Sequence, residues 1–244
     1  MKNTLIIAPA RSGSTNLYRA INAVQGSFPS DEGMEPFDPA KKQLSRNVQA
    51  VTSYTIRRNG VVKHLWNQVS YADNAQIVRS AGVHQLIMLY RRHVFSQALS
   101  RLVAKTTRQW EAPSGDQAPF FIFGDTLNTQ IQYFIYSTYG IVHMLQGSGV
   151  PFIVVAYEDI YDRRYLVRAA ELRRIIKFLG IYRPAVDAAL DIINPQKKYK
   201  NSNYYRRVLL NFNDLYRVYG KYDRYFEAAA RRPENMLEDN HADN

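Results

Sequence analysis

Residues 11–15, Arg-Ser-Gly-Ser-Thr, set one guanidinium, three hydroxyls and a glycine side by side. The guanidinium is a planar fork of charged donors, and the hydroxyls add further donors. Gly13 lets the main chain approach a guest closely, because no Cβ stands in the way. An apolar run, Leu5-Ile6-Ile7-Ala8, precedes this group through Pro9-Ala10, and a helix-like stretch from Asn16 to Val24 follows it. A strand that feeds a short loop and then a helix start aims free N–H groups and a positive dipole end at one spot. The chemistry is capture of a phosphate or a similar anion by Arg11, Ser12, Gly13, Ser14 and Thr15. The ATP-loop signature G-x-x-x-x-G-K-[ST] is absent: position 8 is Ala where its first Gly falls, and position 14 is Ser where its Lys falls. This departure argues against an ordinary ATPase or kinase. Gly/Ser turns between strands and helices also occur without ligands, so a second point of contact is needed.

Arg91-Arg92-His93 supplies one candidate. These residues follow an apolar run, Leu86 to Tyr90, and open a helical pattern that contains Ser96 and Ser100. An Arg at a strand end and a Ser in the next helix can converge on one anion, although paired Arg at strand ends are commonly solvated. Val62-Lys63-His64-Leu65-Trp66 ends another apolar run, where ligand sites of α/β proteins gather. There Lys63 can stabilise charge on a transferred group and His64 can relay a proton; the plainer alternatives are a surface cation and a satisfied, half-buried imidazole. No H-x-x-x-H pair, thiolate set or G-x-S-x-G elbow occurs, so neither a metal site nor a serine hydrolase is expected.

The elements that position these groups follow from periodicity. Val61–Trp66, His84–Tyr90 and Pro151–Tyr157 join the first run as short strands with little alternation, the pattern of a parallel sheet covered on both faces. Helices are expected over Val94–Arg108, Leu127–Leu145 and Tyr165–Leu179, the last ended by Gly180. Strands alternating with helices define an α/β fold with right-handed crossovers. Gly26–Pro39 and Ala112–Pro119 read as loops, and 232–244 as a polar, disordered tail after a single domain over 1–231.

Composition narrows the classes. The chain has 244 residues, a formal net charge of +11 and no Cys, so disulfides and thiolate metal sites are excluded. The charge is dispersed and suits polyanionic ligands. No apolar stretch reaches the roughly 20 residues of a membrane span. The run before Arg11 is too short for a signal-peptide core, so a cytoplasmic location is expected.

Taken together, strand-[PA]-R-S-G-S-T-helix and strand-R-R with Ser100 resemble the sulfotransferase superfamily. A third block agrees: Phe152 to Ile160, FIVVAYEDI, followed by Phe178-Leu179-Gly180-Ile181. These blocks span about residues 4–181. The resemblance is strongest to the bacterial carbohydrate-type branch that sulfates trehalose and lipo-chitooligosaccharides. It implies a P-loop-like three-layer α/β/α fold with a central parallel sheet. It also implies a donor, 3′-phosphoadenosine-5′-phosphosulfate (PAPS), a product, PAP, and no metal. The first loop then holds the 5′-phosphosulfate, and Arg92 and Ser100 hold the 3′-phosphate. Gly33-Met34-Glu35-Pro36-Phe37 resembles the branch's G-E-P-F segment with one extra residue before the acid, which makes Glu35 the implied base and Glu32 and Asp31 its rivals. Lys197 and Lys200 are implied candidates for a loop that closes over the phosphates. Arg92-His93-Val94 departs from the usual R-D-P, and the animal R-K-G-x-x-G pattern is missing. The acceptor is a small-molecule or glycan hydroxyl, and a homodimer is compatible with the branch.

Two other classes compete. A P-loop small-molecule kinase needs a loop Lys and Mg²⁺ ligands, and Ser14 stands in place of that Lys. A nucleic-acid-binding protein without enzymatic activity fits the charge, but no zinc-finger or RNA-recognition signature supports it.

Overall fold

A computed structural model describes residues 2–25, 60–109, 118–181, 186–194, 202–228, 231 and 233. Four apolar runs form strands: β1 (Thr4–Ala8), β2 (Val61–Leu65), β3 (Gln85–Tyr90) and β4 (Phe152–Ala156). They make one all-parallel sheet in the order β2-β1-β3-β4. Thr4 registers with Val61 on one side and Gln85 on the other. Every residue of β1 and β3 is buried, which explains why these strands do not alternate in sequence. β4 stops one residue earlier than its apolar run, because Tyr157 opens a single helical turn, α5 (Tyr157–Ile160), where a strand end was expected.

Helices cover both faces. Ile6, Ala8, Val61, Ile87, Leu89 and Val155 pack against α1 (Ser14–Val24), α6 (Tyr165–Leu179) and α7 (Val186–Ile192). Leu5, Ile7, Val62, Leu86, Met88 and Tyr90 pack on the opposite side. Their partners there are α2 (Tyr71–Val78), α3 (Val94–Thr107), α4 (Gly124–Gln146), α8 (Ser202–Val208) and α9 (Phe212–Tyr219). The fold is therefore α/β with helices on both faces of a parallel sheet. Neighbouring strand residues point to opposite layers, and this decides which helix each polar residue of a strand meets.

Helix ends follow local chemistry. Gly180 ends α6 in the left-handed conformation, with φ 66°, as the sequence predicts. Ser70 caps α2 by accepting from the Asp73 N–H at 3.1 Å. Pro233, within the segment expected to be a disordered tail, is buried. Among the described residues no helix is long and apolar enough to cross a membrane.

Candidate functional site

The loop between β1 and α1 takes the left-handed backbone twice, at Arg11 (φ 65°) and Gly13 (φ 83°). Gly13 is the N-cap of α1, and no acidic residue lies in the first turn of that helix. The positive end of α1 therefore faces the loop without a carboxylate from its own first turn. Ser12 is fully buried, and among the described residues its Oγ has no hydrogen-bond partner. A buried hydroxyl without a partner is unfavourable by itself, and a bound anion at the helix start would satisfy it.

Three elements fix the loop from outside. Gln97 Nε2 donates to the Ala10 carbonyl at 2.8 Å, and Arg11 Nε donates to Ser100 Oγ at 3.1 Å. Gln97 and Ser100 stand three residues apart on α3, so one helix face clamps the loop twice. From the other layer, the Tyr161 hydroxyl donates to the Gly13 carbonyl at 2.7 Å. The Tyr157 and Tyr161 rings, 4.6 Å apart, cover Gly13. β2 brings Lys63, whose Nζ donates to Thr15 Oγ1 at 3.2 Å. Lys63 is only 3% exposed, so it is not a surface cation.

Arg91 and Arg92 divide. The Arg92 guanidinium is engaged by Asp159 through two bonds of 2.6 Å. Its main-chain N–H donates to Glu158 Oε2 at 2.8 Å, and the next N–H, that of His93, donates to Oε1 at 3.3 Å. Arg91 instead lies 4.4 Å over the Tyr157 ring, with its Nε 3.7 Å from Glu158 Oε1. Burial, the largest influence, lowers the Arg91 pKa, but Tyr157, Glu158, Tyr205 and Asp223 together raise it above the ordinary value. Arg11 behaves differently. Burial holds its guanidinium below the usual range, and Arg91 lowers it further, against the opposing pull of Tyr205 and Tyr157. Two cations thus share one environment with two tyrosines, and this concentrates positive potential beside the loop.

His64 points to the opposite layer from Lys63, as adjacent strand residues must. It is fully buried, and its Nε2 meets Asn74 Oδ1 at 2.7 Å. The Asn74 amide donates to the carbonyls of Trp66, Val69 and Ser70. Its Oδ1 is therefore the acceptor and His64 the donor. Burial lowers the His64 pKa to about 4 against the opposing effect of Asn74 and Gln68, so the ring is neutral at ordinary pH. It braces the turn after β2 and stands behind the sheet from Lys63.

The structure thus gathers Arg11, Ser12, Gly13, Ser14, Thr15, Lys63 and Ser100 around one loop. Arg92 is committed to Asp159, and His64 is turned away. Glu35, Glu32, Asp31, Lys197 and Lys200 lie outside the described residues, as do 26–39 and 112–117 and most of the tail. Three site residues lacked an assigned role in the sequence: Arg91, Tyr157 and Glu158. All three sit at the ends of apolar runs, a signal that marked the place without marking the residue. Among the described residues no three His, Asp or Glu side chains converge as on a metal ion. No family model matches the chain, and no curated protein sequence matches it.

Proposed function

We infer that the chain is a sulfotransferase with a P-loop-like donor site. It moves a sulfuryl group from PAPS to a hydroxyl of a carbohydrate or glycolipid acceptor in the cytoplasm. The observation that carries this reading is the buried Ser12 Oγ, without a hydrogen-bond partner among the described residues, at the acid-free start of α1. The residues around it fit an anionic donor: the loop offers hydroxyls and main-chain donors, with Arg11, Arg91 and Lys63 beside them. The Arg11–Ser100 bond supports the reading further, because it joins the two segments that the resemblance assigns to opposite ends of one nucleotide.

When bound, the donor supplies an activated sulfur and a phosphate leaving group. The chain's own task is positioning and electrostatics, as in phosphoryl transfer. Ser12, Ser14 and the N–H groups at the start of α1 hold the oxygens. Lys63, fixed on Thr15, places positive charge where the leaving oxygen gains negative charge. Glu35 takes the proton of the acceptor hydroxyl as the acceptor oxygen bonds to sulfur and the bond from sulfur to the phosphate oxygen breaks.

Calorimetric titration with adenosine 3′,5′-bisphosphate, and separately with ATP and Mg²⁺, tests the reading. Tight binding of the bisphosphate and weak binding of ATP are expected. Preference for ATP with Mg²⁺ would overturn it in favour of a kinase.

A further inference from the structure

The segment that leads into α4 alternates in burial. Ile122 is 5% exposed, whereas Phe121 and Phe123 on either side are 62% and 78% exposed. In an extended segment such neighbours share one face, so both rings stand out together. The segment is held firmly. Phe120 pairs with Leu209, and Asn211 clamps Ile122 twice, accepting from its N–H at 3.3 Å and donating to its carbonyl at 2.8 Å. Leu210, 60% exposed, joins the rings by donating its N–H to the Phe120 carbonyl at 3.1 Å. Two phenylalanines and a leucine displayed on a fixed scaffold form an apolar patch that water disfavours.

The charge beside this patch selects its occupant. Arg206 and Arg207 lie exposed in the last turn of α8, and only Val208 separates them from Leu209 and Leu210. Of the nearby carboxylates among the described residues, Asp214 is paired with Arg217 at 3.1 Å, and Asp125 stands in the first turn of α4. The chain as a whole carries +11. Apolar rings next to guanidiniums are complementary to a surface with hydrocarbon beneath anionic headgroups. A second copy of this chain would instead bring like charges together.

We propose that Phe121, Phe123 and Leu210, flanked by Arg206 and Arg207, dock the protein on an anionic lipid bilayer surface. The rings enter the headgroup boundary and the guanidiniums meet the headgroups. The proposal goes beyond sulfuryl transfer and does not depend on it. Tyr205, which lies near Arg11 and Arg91, stands one helical turn before Leu209. Docking would therefore bring the bilayer close to the candidate site.

Co-sedimentation of the full chain tests the proposal, with vesicles of phosphatidylcholine alone or mixed with phosphatidylglycerol. Binding to the mixed vesicles alone is expected. The double substitution Phe121→Ser and Phe123→Ser keeps the charge constant and should weaken that binding about tenfold or more, with an unchanged melting temperature. Separately, Phe123→Trp should shift its emission to the blue and be quenched by brominated acyl chains, over the background of Trp66 and Trp110. This variant keeps an aromatic ring in place, so its readout survives if the serine variant misfolds. Equal binding of the serine variant with no tryptophan shift means adsorption by charge alone and overturns the proposal. A wild-type dimer that the serine substitutions dissociate, without vesicle binding, overturns it in favour of a second copy. Bisphosphate affinity, measured in parallel, reports on the sulfuryl-transfer reading independently.

Discussion

Arg11 Nε donates to Ser100 Oγ across 3.1 Å of space and 89 positions of sequence. The bond ties the β1–α1 loop to α3 and sets the fork of Arg11 while its left-handed backbone bends the loop. If the loop holds the anion, Arg11→Ala removes a charge-assisted contact of about 1.5–3 kcal/mol. The Kd for adenosine 3′,5′-bisphosphate should then rise roughly tenfold to a hundredfold. Ser100→Ala should have a smaller effect, about 0.5–1.5 kcal/mol. Calorimetry on both variants and their double mutant decides whether the two act as a unit, because a coupled pair is non-additive.

Arg91 and Arg92 are adjacent but should fail in different ways. Arg92 is committed to Asp159, whereas Arg91 stacks over Tyr157 and lies close enough to Arg11 to lower its pKa. Arg92→Ala is expected to lower stability by about 1–2 kcal/mol, the scale of a partly exposed bidentate pair, with little change in bisphosphate affinity. Arg91→Ala is expected to weaken the bisphosphate by about tenfold or more, and Arg91→Lys to recover part of the loss. The opposite pattern in paired melting and binding measurements would return the 3′-phosphate to Arg92.

The sheet and its main helices were legible because burial on both faces leaves a plain mark, a short run of Val, Ile and Leu. β1, β2 and β3 match such runs to within a residue or so at each end, and the helix at Tyr165–Leu179 falls where its apolar stripe and Gly180 place it. The α2 helix was not expected from the sequence. It is eight residues long, and Ser70 and Asp73 were its main signal. At the site, the sequence reading chose Arg92 over Arg91 for the anion, whereas the structure engages the Arg92 guanidinium with Asp159. That choice depends on which carboxylate of α5 captures which guanidinium, a contact 67 residues away in the chain. His64 was ambiguous for a similar reason, since its partner Asn74 belongs to a helix the sequence did not announce.

Gly13 carries two demands at once. Its φ is 83°, and an added Cβ would sit 2.8 Å from Tyr157 Cε2 and from Tyr161 Cε2. Gly149 has a similar φ of 72° but open space around it. Gly149→Ala should therefore cost only backbone strain, about 1 kcal/mol. Gly13→Ala must also displace two packed rings and disturb the bond from Tyr161 to the Gly13 carbonyl, so its loss should be clearly larger. Each kcal/mol lowers the melting temperature by about 2–4 °C at this chain length. Equal melting temperatures for the two variants would contradict the packing over the loop.

His64 gives the fold a defined sensitivity to acid. In the unfolded chain the ring titrates near its ordinary 6.5, whereas in the fold burial lowers this to about 4. Between those values the unfolded state holds the extra proton, so stability falls as pH drops from 6.5 towards 4 and is complete above 6.5. The difference amounts to about 3 kcal/mol. His64→Gln keeps a donor for Asn74 but cannot titrate. Urea unfolding of both proteins from pH 7.5 to pH 4.5 isolates the contribution, because the other carboxylates and histidines are common to the pair. The wild type should lose stability relative to the variant as the pH falls, with most of the change below pH 6. A difference that stays constant over this range would mean that His64 accepts its proton inside the fold, and that it is accessible enough to take part in proton transfer after all.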